Sequence, residues 1–276
     1  MENYENRRAN TSLRSACSAT VALLVAVATA AAQDRVISND EWCDGHGRQD
    51  GESVCEVREW TLDPVNEVRV DAKPNGGIAV EAWDGPGMRV RAKVHAWAAS
   101  GSRARELVDA IDVSAGASTG ADGPRTRGRE GWSVSYRLMV PPRTDLELES
   151  TNGGIDISGV NGELRFRTTN GGVHLEGIGG DVEGSTTNGG MHVILTGNTW
   201  HGAGLDVKTT NGGVRLGIPD GYSAHLEAGT VNGGFEIGFP VTVQGKIDRR
   251  LSADLGGGGP TIRAYTTNGG VRIGTP

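Results

Sequence analysis

Asn-Gly-Gly followed by an apolar–polar–apolar triplet returns throughout the second half of this chain, and that period limits the possible folds more than any other feature. Copies start at Asn152, Asn170, Asn188, Asn211, Asn232 and Asn268, with an earlier one at Asn75, and Thr stands before most of the asparagines. From Asn152 onward, successive asparagines lie 18, 18, 23, 21 and 36 residues apart. This reads as a period of 18 with two insertions and one doubled step. A fixed period of this length marks a supersecondary unit stacked on copies of itself. Such arrays offer ladders of side chains more readily than one deep cleft.

Each unit holds two strand-like triplets. The third and fifth residues after the asparagine are apolar, as in Ile155/Ile157, Val173/Leu175, Met191/Val193, Val214/Leu216, Phe235/Ile237 and Val271/Ile273. Between them stand Asp156, His174, His192, Arg215, Glu236 and Arg272. Strict alternation puts one face in and one face out. A second triplet follows in the next half-unit, as in Leu164-Arg165-Phe166, Val182-Glu183-Gly184 and Leu205-Asp206-Val207, with Leu146-Glu147-Leu148 ahead of the series. Two strands and two corners make one coil, and coils stacked about 4.8 Å apart pair each strand with its equivalents. The expected fold is all-β, a single-stranded β-helix or β-solenoid with coils of about 18 residues. Asn75, Asn152, Asn170, Asn188, Asn211, Asn232 and Asn268 are expected structural turn residues, because Asn and Gly tolerate positive φ. An antiparallel ladder of hairpins is the alternative, since Asn-Gly also favours type I′ turns. Residues 102–113 place Leu107, Val108 and Ile111 on one helical face, predicting a short helix that covers the solenoid. The stretch 115–131, rich in Gly, Ser and charge, reads as a mobile loop.

These residues resemble a family. Asn75-Gly76-Gly77-Ile78-x-Val80-x-x-Trp83-Asp84, the helix near Leu107, Val140-Pro141-Pro142, the Thr-Asn-Gly-Gly repeats and the terminal glycine run are similar to the bacterial "putative adhesin" family, also called toastrack domains. The resemblance covers roughly 56–276. It implies a right-handed single-stranded β-helix in an exported or envelope-facing protein, and it brings no catalytic residues. Some members of the family are associated with envelope-stress systems.

The N-terminus reads as an export signal. Arg7, Arg8 and Arg14 precede an apolar run from Ala16 to Ala32 that ends in small residues. It is short and alanine-rich for a membrane span, which needs about 20 strongly apolar residues. Cleavage near Ala32–Gln33 is expected, with an uncleaved anchor as the alternative. The expected organisation is a signal peptide over 1–32, a disulfide-loop segment over 33–55 and an adhesin-like β-solenoid over 56–276. Past the signal two cysteines remain, Cys43 and Cys55, and two thiols in an exported chain pair most often as a disulfide. His46 after Cys43 raises a metal reading, but no fourth ligand stands at a standard spacing. The chain has 27 basic and 34 acidic residues, a net charge of −7. That balance argues against a nucleic-acid partner, whose phosphates require a basic surface.

Candidate chemistry is sparse. His174 and His192 occupy the same outward position in adjacent coils, with rings expected about 5 Å apart. Two imidazoles are short of the three or four ligands of a secure metal site, and Arg215 comes next. Paired-carboxylate hydrolysis requires carboxyl groups roughly 5–9.5 Å apart. Asp156 and Glu236 are expected four coils apart, about 19 Å. Glu163/Asp181 and Glu183/Asp206/Glu227 have permissive spacing, but stacked surface carboxylates are ordinarily just solvated, and Arg165 can pair with Glu183 or Glu147. Calcium β-rolls need a repeated aspartate where this chain has Ser158, Glu176, Ile194 and Gly217. The Gly256–Gly259 run lacks the Lys and Ser/Thr of a phosphate loop.

The reading is a non-enzymatic, exported adhesin-like binding or scaffold protein of the cell envelope, periplasmic, surface-attached or extracellular, with no cofactor and no metal. Its partner would be an envelope component, glycan or protein, with self-association through the solenoid ends also open. An envelope-stress sensor or assembly scaffold is the second reading, and a glycan-cleaving β-helix the third. The variable corners carry Trp200, His201, Asp220 and Tyr222, expected either as an aromatic contact site or as cover for the solenoid flank.

Overall fold

Alternation of buried and exposed residues sends each coil's two strands into two sheets that face each other across a narrow apolar core. The structure, a computed structural model, describes residues 35–44, 51–240 and 249–276; the expected signal peptide and His46 lie outside the described residues. The Asn170 coil shows the pattern: Asn161–Asn170 enters a 10-stranded sheet and Val173–Glu176 an 11-stranded one. The Asn188 coil repeats it with Gly179–Asn188 and Met191–Ile194. Parallel pairing in register, Leu164 with Val182 and Val173 with Met191, identifies the β-solenoid and overturns the hairpin ladder. The Asn75 copy belongs to the same stack, with Ile78–Ala82 pairing Ile155–Ser158.

The core is built from one residue type of each triplet. Ile155, Ile157, Leu164, Leu175, Val193, Leu205 and Leu226 are all buried. Volume is matched between coils. A Cβ on Gly184 would lie 2.1 Å from the Phe166 ring, so that ring fills the space its neighbour leaves.

The first sheet continues past the Asn75 coil through antiparallel strands. Met88–Ala98 pairs with Gly131–Val140 on one side and Glu52–Leu62 on the other. A helix, Gly101–Asp109, packs here with Ala104, Leu107 and Val108 buried, and Ile111 is buried just beyond it. Ser100 accepts from the Arg103 amide at its N-terminus, while Arg58 donates to the Val108 and Ile111 carbonyls at its C-terminus, 3.0 and 2.7 Å away. The Glu52–Leu62 strand runs through the boundary expected at residue 55, so the disulfide segment is joined to the sheet and not a preface to it.

Two expectations fail. Residues 115–131 contain a strand, Ser118–Asp122, parallel to Glu67–Asp71; polar composition concealed it because Thr119 is the one buried residue of that strand. The doubled step of 36 residues is not a missing copy. The last coil, Thr261–Asn268 with Val271–Gly274, inserts between the Asn211 coil and the Asn232 coil. Strand Arg250–Leu255 then pairs antiparallel with Ala224–Asn232 at the end of the second sheet. Charge favours this order. Arg263 stands between Asp206 and Glu227, 3.2 and 2.8 Å from their carboxylates, where sequential stacking would have set the two acids side by side.

The inserted order can be tested by cysteine pairing. Asp206→Cys with Arg263→Cys, and Glu227→Cys with Arg263→Cys, are expected to form disulfides, because in-register parallel neighbours lie within bonding reach. Asp206→Cys with Glu227→Cys is expected to stay reduced. Efficient closure of that last pair would restore the sequential order.

Candidate functional site: a groove on the first sheet

The groove begins with the backbone at the Asn-Gly-Gly corners. A Cβ on the first glycine would lie 2.1 Å from the neighbouring coil's carbonyl oxygen at Gly171, 1.9 Å at Gly189 and 2.0 Å at Gly212. Close approach therefore demands glycine. The expected reason, positive φ, holds in these pairs only at Gly269, and the left-handed glycines cluster elsewhere, for instance at Gly159 and Gly177 of the opposite corner. The carbonyl that is approached so closely also accepts a hydroxyl. Thr186 donates to Gly171 O and Thr209 to Gly189 O, both at 2.8 Å, and Ser150 to Gly76 O likewise. That hydroxyl lies two residues before each asparagine from Asn152 onward; Lys73 stands there in the Asn75 copy. The residue immediately before is free to vary, and is Val231 in one copy.

The asparagines form a continuous ladder. Asn152 donates to Asn75, Asn170 to Asn152, Asn188 to Asn170, Asn211 to Asn188, Asn268 to Asn211 and Asn232 to Asn268, at 2.8 to 3.0 Å. Each amide group is used by its neighbours, so the ladder is a structural rail.

Beside that rail the second glycines line a floor of bare backbone, and the outward residues of the first sheet form a row along it. In register the row runs Arg137, Ala79, Asp156, His174, His192, Arg215, Arg272, Glu236. The inserted coil moves Glu236 a further step away, so it lies five spacings, about 24 Å, from Asp156 instead of the expected four. Among the cavities along this face, two meet at His192. One, of about 560 Å³, is bordered by Trp42, Ser135, Arg137, Asp156, His174 and His192. The other, of about 660 Å³, starts at His192 and continues past Arg215 and Arg272 to Phe235 and Glu236.

Trp42 was not among the residues singled out by sequence, although its place beside Cys43 was the available signal. Cys43 and Cys55 are bonded, with Cα atoms 5.7 Å apart. The bond fixes the short 3-10 turn Glu41–Cys43 to the sheet, and Asp40 caps that turn by accepting from the Trp42 amide. The indole then sits over the cations of the first sheet, 4.2 Å from the Arg137 guanidinium and 5.1 Å from Lys93.

The His174 and His192 rings lie 5.0 Å apart, as the stacking distance requires. Among the described residues, no group of three or more His, Cys, Asp or Glu side chains is arranged to hold a metal. Arg272 pairs with Glu236 at 2.8 Å, and His174 lies 3.6 Å from Glu176, whereas Arg215 has no ion pair among the described residues. The second sheet contrasts with this. There Arg69 meets Glu147 at 3.0 Å and Arg263 bridges Asp206 and Glu227. Arg165 pairs with Glu163, not with the expected Glu183 or Glu147.

The variable corners, read as either an aromatic contact site or cover for the solenoid flank, carry their aromatic rings buried. Their two loops meet, with Thr199 donating to Ser223 O, but Trp200 and Tyr222 both turn into the core. Trp200 is 4 % exposed and donates its indole N–H to Gly180 O at 3.0 Å. Burial pushes the Tyr222 phenol up to about 12. Only His201 and Asp220 remain exposed.

One constellation invisible in the sequence joins His225 to the end strand. Its Nδ1 lies 2.7 Å from Asp254 Oδ1 and its Nε2 lies 3.4 Å from Ser252 Oγ. The order resembles an acid–base–nucleophile relay, but the Asp254 side chain is 69 % exposed and the pairing of the two strands uses the nearby amides. The cluster ties the end strand Arg250–Leu255 to its neighbour Ala224–Asn232.

The toastrack DUF4097 family model matches residues 129–274. The chain belongs to that family. The toastrack match begins after the Asn75 copy, which the structure nevertheless places in the same stack. Among solved structures the chain is similar to a "putative cell adhesion protein" from Clostridium sporogenes, 8% identical with a TM-score of 0.41, covering 82% of this chain and 100% of that one. It is also similar to a "putative adhesin" from Bacteroides fragilis, 13% identical with a TM-score of 0.35, covering 80% and 97%. A "putative lipid binding protein" from Parabacteroides distasonis is 10% identical with a TM-score of 0.34, covering 79% and 96%. No curated protein matches the chain.

The groove's electrostatics give a test. Burial first, then His174 and Arg215, hold the His192 pKa below its ordinary value, with Glu176 acting the other way. Arg215→Gln is expected to raise it, read from imidazole resonances in an NMR titration; an unmoved His192 would separate the two side chains. Because the folded-state pKa is the lower one, the native state binds fewer protons between the two values. This group therefore costs stability as pH falls from about 6.5 to the folded pKa, and nothing further below it.

Proposed function

We propose that this toastrack protein is an exported, non-enzymatic, adhesin-like binding or scaffold protein of the cell envelope. The observation that carries the reading is the groove on the first sheet. It runs across the coils, presents a new side chain at every step and is walled by Trp42 at one end and Phe235 at the other, a form suited to an extended ligand. The Cys43–Cys55 bond supports export, because such bonds persist in oxidising compartments.

A second reading, an envelope-stress or assembly scaffold acting through the solenoid end, is favoured by one feature. Among the described residues Phe235–Ile237 is the last strand of the first sheet, and Val231 nearby is 51% exposed. Edge strands of this kind recruit other strands.

Fractionation of cells making the full chain, with thiol alkylation before lysis, tests the main reading. The expected result is chain in the envelope or medium, retained on envelope material, with Cys43 and Cys55 both unreactive. Full-length chain in the cytosol with both thiols reactive would contradict it. Retention abolished by Val231→Lys at the solenoid end, with the groove residues Phe235 and Glu236 unchanged, would favour the second reading.

A further inference from the structure

We infer that the groove takes a linear acidic glycan, whose carboxylates meet Arg215 and Arg272 and whose sugar rings lie along the backbone floor towards Trp42. This rests on the binding role proposed above and names the ligand for it.

Charge supplies the first argument. The second sheet answers Arg69 with Glu147, and Arg263 with Asp206 and Glu227. The groove instead sets His174, His192, Arg215 and Arg272 on successive strands, all potential or permanent cations. Directly opposed like charges destabilise a sheet. Here Arg215 faces Arg272 in register, and Glu236 reaches only the latter. Asp156 stands at one end of this run and Glu236 at the other, and Arg215 between them is the cation with no ion pair among the described residues, in a chain of net charge −7. An anion in the groove would relieve the opposition, and guanidinium matches carboxylate in a two-pronged contact.

Shape supplies the second. The two cavities share His192 and extend along the direction in which coils repeat. Arg215 and Arg272 stand one strand spacing apart, about 4.8 Å, close to the length of one pyranose unit in an extended glycan. Trp42 and Phe235 offer apolar surface for sugar-ring faces. An acidic peptide fits less well. A peptide gains most from main-chain pairing with an exposed strand edge, and it would have to cross strands whose amides and carbonyls are already paired.

Calorimetric titration of the exported chain with oligogalacturonate, a neutral cello-oligosaccharide and poly-glutamate tests the inference. Wild type is expected to bind oligogalacturonate, more weakly as salt rises, and to bind the other two far less. Arg215→Gln with Arg272→Gln is expected to weaken binding about tenfold or more with no fall in unfolding temperature. Trp42→Ala is expected to weaken it at constant salt dependence, and Arg165→Gln on the second sheet to leave it unchanged. No binding of oligogalacturonate by wild type, equal loss with Arg165→Gln, or equal affinity for poly-glutamate would each overturn it. Envelope retention that survives without acidic-glycan binding would remove this inference and leave the binding role. Loss of both would remove both.

Discussion

Contact between the backbones of neighbouring coils at the Asn-Gly-Gly corner is the constraint on which the rest depends. At the first glycine there is no room for a Cβ, since it would stand about 2 Å from a carbonyl oxygen of the adjoining coil. That approach lets the asparagine amides reach one another and lets the hydroxyl two residues earlier close onto the same carbonyl. The core residues of successive coils then meet in register, and so do the outward residues of the groove. A shift at the corner would move core packing and surface row together. Parallel pairing is all or nothing in this sense, because the side-chain period along a strand is two and a slip by one exchanges inside for outside.

The two outer faces share this register and differ in what they do with charge. On the second sheet Arg69 meets Glu147, Glu183 faces Asp206, and the insertion of the last coil places Arg263 between Asp206 and Glu227. On the first sheet, the same insertion brings Arg272 beside Arg215. The order of coils that settles one face therefore leaves the other with unanswered positive charge. That difference is local, physical and independent of the family's name, and it is the reason the first sheet is the candidate site.

Much of the fold was legible because the repeat is strict. Alternation around Ile155, Val173 and Met191 identified the inward face, and the period identified the coil. Coil order was not legible, because every copy carries the same stacking signals and only spatial charge pairing distinguishes which neighbour each prefers. The role of the first glycine was misread for a related reason: a glycine required by close approach and one required by positive φ look the same in sequence. Of the site, the row His174–His192–Arg215 was visible as a column. Trp42 was not, since nothing in the sequence around Cys43 shows which surface the disulfide will bring it to. The aromatics chosen by loop position, Trp200 and Tyr222, turned inward, where burial of large rings contributes most to stability.

The glycine contact can be measured directly by comparing Gly171→Ala with Gly172→Ala in equilibrium unfolding. The two residues are adjacent and neither has a positive φ, but a Cβ would lie 2.1 Å from Gly153 O in the first and 3.5 Å from Gly190 O in the second. The account predicts that Gly171→Ala costs roughly 3 kcal/mol or more, with loss of cooperative unfolding through the neighbouring coils, while Gly172→Ala stays within about 1 kcal/mol of wild type. Equal stability of the two variants would contradict it.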